Sequence, residues 1–259
     1  MTMNGSPAVV LDSRTHVVPS TATDDGYQLD VWLPDSYQGS PQSYPVLYVL
    51  DSPASFGFVV AAVMPYVWEQ LVPELIVVGI GRPVETLDEW WQIRSRDYSP
   101  KALPGEEGSG HSDAFARALN DEILPFVDAT YRTNPSDRTI CGHSLAGVFV
   151  LQQLLSGSGL FHRFLATSPA VVLGGQTLLD LDVDGPPAGS RLPGRLFMSV
   201  GTLDDEFRIH IEAFTASLRL HNYQGLHVDT TELPGYRHVT AGVPGFLAGL
   251  PKAFPTPEA

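Results

Sequence analysis

The sequence predicts an α/β fold, a mostly parallel sheet with helices on both faces. Three observations predict it. Short apolar runs the length of buried strands alternate with longer helix-like stretches along the 259 residues. One of these runs turns abruptly into an apolar helix across Gly142-His143-Ser144-Leu145-Ala146-Gly147, where a serine stands among small residues. The last strand-like run is followed by a turn-rich segment, Leu233 to His238, before a closing helix. With 43% hydrophobic and 17% charged residues, the chain is long enough for one sizeable core and short for two, so residues 1–259 read as a single domain.

The elements follow in order. Residues 8–18 and 27–33 alternate apolar and polar side chains around a break at Thr21 to Gly26, which predicts an antiparallel pair at a sheet edge. Pro45 to Leu50 is a continuous apolar run, as a central strand covered on both faces requires. Phe56 to Leu71 reads as its crossover helix, with Pro65 expected to break or kink it. Glu74 to Gly81 is the next buried strand; Arg82 to Ser112 then shows no clear periodicity and reads as a long functional loop. A helix over 113–131 leads to the strand Arg138 to Cys141 and the helix that begins after Ser144. Two more strands, 164–168 and 195–201, flank an irregular stretch from Gly174 to Pro193. A helix over 206–220, a strand over 226–233 and a helix over 246–254 close the chain.

Glycine (24) and proline (22) lie scattered between apolar runs, so they mark turns rather than a low-complexity linker. The formal net charge of −14 would repel a phosphate backbone and an anionic bilayer, which argues against nucleic-acid and membrane partners. The single cysteine, Cys141, reads as a small buried hydrophobe in the elbow strand. The first residues carry no positive n-region and the apolar run 56–68 is too short for a membrane span, so a cytoplasmic location is expected. No zinc-type Cys/His spacing, P-loop or dinucleotide fingerprint occurs, which leaves metal and nucleotide chemistry unsupported.

The strand-to-helix turn points to nucleophilic catalysis. A serine held there in a strained conformation presents Oγ above the sheet, beside the N–H groups that open the helix. A serine hydroxyl is a poor nucleophile at neutral pH, so it needs a histidine to accept its proton and an acid to orient that histidine. In such a sheet the acid follows a later strand and the histidine the last one, which selects His238 as base. His143, beside the serine on the turn, reads as a packing or hydrogen-bonding residue. Asp204 is the leading acid; the adjacent Asp205 and Glu206 are alternatives and Glu232 an outsider, and Asp204, Asp205 and Glu206 could instead cap the following helix. The Leu145 N–H is expected to bind the oxyanion, with a second donor from the loop Asp51-Ser52-Pro53-Ala54-Ser55-Phe56.

Taken together, Val46 to Asp51, Arg96-Asp97-Tyr98-Ser99-Pro100, the elbow, Thr167-Ser168-Pro169, Gly201-Thr202-Leu203-Asp204 and His238 resemble the esterase family that contains the ferric-siderophore esterases, esterase D (S-formylglutathione hydrolase) and the mycolyltransferases. The resemblance covers nearly the whole chain, and the arginine-aspartate-proline loop is more similar to the siderophore-esterase side. It implies an α/β-hydrolase fold, the triad Ser144, Asp204 and His238, no metal or organic cofactor, and a small-molecule ester or lactone as substrate. Two positions depart from the family pattern. Ala146 replaces a glycine, and Pro53 stands where relatives supply the second oxyanion N–H, which proline lacks. The Ser52 N–H, or a hydroxyl from Ser52 or Ser55, would be the repair. The stretch from Thr86 to Asp97 carries Trp90, Trp91, Arg94 and Arg96, expected either to shape an acyl or aromatic pocket or to pack the loop onto the body, with Arg96 pairing with acidic neighbours. The expected activity is serine-dependent ester hydrolysis through an acyl-enzyme; acyl transfer on the same fold, or ligand binding without catalysis, are its rivals.

Overall fold

Side-chain alternation along the central strands sorts the core into two layers, one on each face of a single twisted sheet. The structure, a computed structural model, describes residues 10–23, 25–52, 54–170, 172–173, 176–177 and 185–255. Pro53 and part of the irregular stretch from Gly174 lie outside the described residues. The eight sheet strands are β1 (Ser13–Ser20), β2 (Asp25–Trp32), β3 (Tyr44–Ser52), β4 (Ile76–Gly81), β5 (Thr133–His143), β6 (Arg163–Thr167), β9 (Arg191–Gly201) and β10 (Gln224–Leu233); β7 (Val172–Leu173) and β8 (Gln176–Thr177) form a separate short pair. The order across the sheet is β1-β2-β4-β3-β5-β6-β9-β10. β1 and β2 pair antiparallel, as does β2 with β4, and every later neighbour is parallel.

On one face, Leu47, Val49, Val77, Cys141, Leu165 and Phe197 pack under α1 (Phe56–Trp68) and α7 (Gly242–Ala253). On the other, Tyr48, Val78, Ile140, Ala166 and Met198 pack under α2 (Leu87–Tyr98), α3 (Ser112–Ala118), α4 (Leu124–Thr130), α5 (Leu145–Leu155) and α6 (Asp205–His221). Because consecutive strand residues point to opposite faces, the unbroken apolar runs are what a sheet covered on both sides needs. Cys141 is a free, buried thiol, and burial pushes its pKa up, in keeping with a packing role.

Two expectations are corrected. The stretch Arg82 to Ser112 is not one long loop, since it contains α2. Thr86 caps that helix by accepting from the Glu89 N–H at 3.1 Å, while the Glu89 carboxylate accepts from the Glu85 N–H at 2.8 Å. This near-capping box was present in the sequence as Thr-x-x-Glu. The helix α1 also runs through Pro65 to Trp68. The proline opens its last turn, and the helix runs only three residues beyond it.

Parallel strands put all their following loops at one edge of the sheet. The strand order reverses at β3 and β5, which part company there: their pairing ends at Val49 with Cys141. A crevice at such a switch point is where α/β proteins hold their ligands.

Candidate active site

Ser144 occupies the turn between β5 and α5 at φ 59° and ψ −120°, a left-handed conformation that costs a non-glycine residue strain energy. The surroundings hold it there. Its N–H donates to the Thr167 carbonyl at 3.0 Å, and its carbonyl accepts from the Ala170 N–H at 3.0 Å. Gly142 is required by the close passage of strand and helix, since a Cβ on it would lie 2.7 Å from the Ala146 carbonyl. The Leu145 N–H opens α5 beside Ser144, where the first helical N–H groups have no acceptor within the helix.

A second close approach brings the other two groups together. Gly201 ends β9 against the loop after β10, and a Cβ on it would sit 2.2 Å from the Tyr236 carbonyl oxygen. The Leu203 N–H donates to that carbonyl at 3.0 Å, and the Thr202 N–H to Leu233 at 2.9 Å. His238 Nε2 then stands 2.8 Å from Ser144 Oγ, and His238 Nδ1 stands 3.5 Å from Asp204 Oδ2. That second contact is too long for a formed hydrogen bond, and both atoms are buried without another partner. Asp205 turns away to pair with Arg208 at 3.0 Å, and Glu232 is exposed on β10.

The His238 ring lies between two others, Phe207 with centroids 4.2 Å away and His143 at 5.2 Å. Burial lowers the His238 pKa from its ordinary value; Asp204 opposes this and Arg94 adds to it. Burial likewise raises the Asp204 carboxyl, with His238 pulling the other way. Both directions favour the neutral imidazole and a weakly engaged acid. His143 is pushed down to about 4 by burial, then by His238 and Arg94, and its Nδ1 meets Thr167 Oγ1 at 3.1 Å. It packs against the base and hydrogen-bonds Thr167, the packing and hydrogen-bonding role read for it from the sequence.

Several expectations about the rim are corrected. Ser52 points the other way: its hydroxyl donates to Asp30 at 2.6 Å, and its backbone faces Gly81 of β4, where a Cβ would lie 1.5 Å from the Ser52 oxygen. The Ser55 hydroxyl donates to the Leu50 carbonyl. Arg96 is drawn off to Asp97, at 2.7 Å, beside Asp25 in the β2 strand. Of the two arginines the sequence offered there, Arg94 is the one at the site. Trp90 lines a cavity of about 220 Å³ with Phe58, Val243 and Phe246, bordered by Gly142, His143 and Val239. Trp91 is half-buried and is not part of that lining.

Residues 20–208 match the sequence family described as "Putative esterase". The chain belongs to this esterase family. Among curated relatives, it is 33% identical over 147 residues to the ferri-bacillibactin esterase BesA of Bacillus subtilis, covering 51% of this chain and 49% of the relative. It is 29% identical over 159 residues to the apo-salmochelin esterase of Escherichia coli, covering 58% and 49%. The chain spans about half the length of these relatives. Among solved structures, the BES protein from Bacillus cereus superposes with a TM-score of 0.82 at 20% identity, over 99% of this chain and 100% of that one. The esterase fold is therefore the α/β-hydrolase architecture that the strand order describes. Among the described residues, no cluster of three or more His, Cys, Asp or Glu could hold a metal ion, and no helix is long and apolar enough to cross a membrane.

Proposed function

We propose that this member of the esterase family is a serine-dependent carboxylic-ester hydrolase acting through an acyl-enzyme. The observation that carries the reading is the 2.8 Å contact between His238 Nε2 and Ser144 Oγ at a strained strand-to-helix turn. His238, kept neutral by burial, takes the Ser144 proton as Oγ attacks the ester carbonyl. The Leu145 N–H donates to the oxyanion, which binds it better than the ground-state carbonyl. His238 then returns the proton to the departing alkoxide, and a water deprotonated by the same nitrogen releases the acid. Asp204 holds Nδ1–H toward itself and stabilises the imidazolium that forms in each half-reaction.

The substrate class is a small-molecule ester or lactone of the siderophore type. The names of the curated relatives support this, and so does an apolar cavity walled by Trp90 and Phe246 and bordered by His143, the residue before the nucleophile. Ser144→Ala, assayed on p-nitrophenyl esters and on a siderophore lactone, should lose kcat by about 10⁶. A fluorophosphonate should label the wild-type protein at Ser144 alone. Turnover by Ser144→Ala near the wild-type rate would end the proposal.

A further inference from the structure

At the switch point of the sheet, beyond the last pair of β3 with β5, one buried side chain fills the gap that the diverging strands leave. Arg94, from the third turn of α2, is 5% exposed. Its Nε donates to Asp51 Oδ1 at 2.7 Å and its Nη2 to Asp51 Oδ2 at 3.1 Å, a two-pronged grip on the carboxylate. The same Nη2 also donates to the His143 carbonyl at 3.1 Å. That carbonyl belongs to the residue immediately before Ser144, at a place where β3 no longer runs alongside to pair with it. Asp51 is equally particular: it has φ 65° and sits at the register shift between Leu50 and Ser52, one residue before β3 ends. Its N–H donates to Tyr98 Oη at 3.2 Å. The Trp90 ring, one turn earlier on the same helix, stacks on the guanidinium with 4.4 Å to its centroid.

We infer that Arg94 is a positioning residue, a tie that fixes the Ser144 turn relative to the loop after β3 through one guanidinium held by Asp51. The inference rests on the reading of Ser144 as nucleophile given above. Two strained turns, at Asp51 and Ser144, come from different strands, and no backbone ladder joins them. The guanidinium supplies the missing cross-link with donors whose mutual geometry is rigid. Lysine has the charge but not the planar fork, so it cannot serve the carboxylate and the carbonyl in the same arrangement. Arg94 makes no hydrogen bond to Ser144 Oγ or His238, and with Asp51 it also borders the cavity that Trp90 lines, so the split between kcat and KM is what separates a tie from a substrate contact.

The experiment first secures the nucleophile: the wild-type protein turns over p-nitrophenyl acetate and labels with a fluorophosphonate, and Ser144→Ala does neither. Failure at that stage counts against the hydrolase reading and not against the tie. Arg94→Lys is then compared with wild type, and so is the double variant Asp51→Asn/Arg94→Gln, which leaves no charge unpaired in the interior. Displacements of the reacting group by about 1 Å cost on the order of 10²-fold. The expected result is a fall in kcat approaching that size in both variants, KM within about threefold on the same reasoning, and an equal fall in the labelling rate. Native circular dichroism should be retained. If Arg94→Lys unfolds, the double variant decides. Wild-type kcat and labelling in either folded variant would overturn the inference, as would a loss confined to KM, which would make Arg94 a substrate contact.

Discussion

His143 gives the sharpest quantitative test, because a half-buried imidazole beside the base must leave a mark on acid stability. Its pKa is pushed down to about 4 from an ordinary 6.5, burial being the largest cause. Above pH 6.5 the residue is neutral in folded and unfolded chains and adds no pH dependence. Between 6.5 and about 4 the unfolded chain binds a proton that the native protein excludes, so stability falls as the pH falls. Below about 4 both states bind it and the loss is complete. At 1.36 kcal/mol per pH unit, that interval amounts to about 3 kcal/mol. His143→Asn keeps a polar group near Thr167 and removes the titration. Urea unfolding of both proteins at intervals from pH 7 to pH 4 should show the gap between their stabilities narrowing or reversing toward acid by up to that amount. The packing cost of the substitution is the same at every pH and drops out of the comparison. Parallel curves over the whole interval would refute the account of His143 as a residue held neutral by its surroundings.

Three further outcomes follow from the site. The acid limb of kcat/KM should fall below the ordinary histidine value of 6.5, since burial and Arg94 lower the His238 pKa more than Asp204 raises it; a midpoint above 6.5 in a pH-rate profile would contradict the geometry. Asp204→Asn should lower kcat by several powers of ten, and Asp205→Asn should leave it within about twofold, as Asp205 is an exposed partner of Arg208; steady-state kinetics with the two variants in parallel distinguish them. Trp90→Ala should change the ratio of kcat/KM between short-chain and aromatic acyl esters by about tenfold, the scale of one lost apolar contact; an unchanged ratio across a panel of esters would remove the cavity from the substrate site.

Most strands were legible because a sheet covered on both faces leaves unbroken apolar runs, and residues 46–50 or 76–81 admit few other readings. The base was legible for a topological reason: His238 follows the last strand, and parallel strands collect their loops at one edge. Contacts made across the sheet were not. Phe207, in the helix after β9, meets the His238 ring at 4.2 Å because Gly201 lets the end of β9 approach the loop after β10, and nothing in the local pattern around Phe207 marks it. The same holds for Ser52, whose neighbours Asp30 and Gly79 belong to strands on the side away from β5. Pairing partners of a strand are set by the whole topology, so a serine at a strand end can face either way.

The arginine on α2 shows how one unread helix misplaces a site. Read as a loop, residues 86–97 offer Trp90, Trp91, Arg94 and Arg96 without preference, and Arg96 opens the family-like Arg-Asp-Tyr-Ser-Pro segment. A helix imposes about 100° per residue, so Arg94 and Arg96 must diverge by about 200°. Trp90 and Arg94, four apart, then share one face, and Trp91 lies about 100° away from Trp90. The structure has this arrangement: Trp90 and Arg94 meet at 4.4 Å at the cavity wall, while Arg96 pairs with Asp97 near the edge hairpin. The information was in the chain, as Thr86 and Glu89 spell a helix start. With that start fixed, the periodicity puts both tryptophans within reach of Arg94, Trp90 at 4.4 Å and Trp91 at 5.8 Å from its guanidinium, and turns Arg96 to another face. The choice between the two arginines was therefore a question of helix phase, and the family resemblance of the neighbouring segment had no bearing on it.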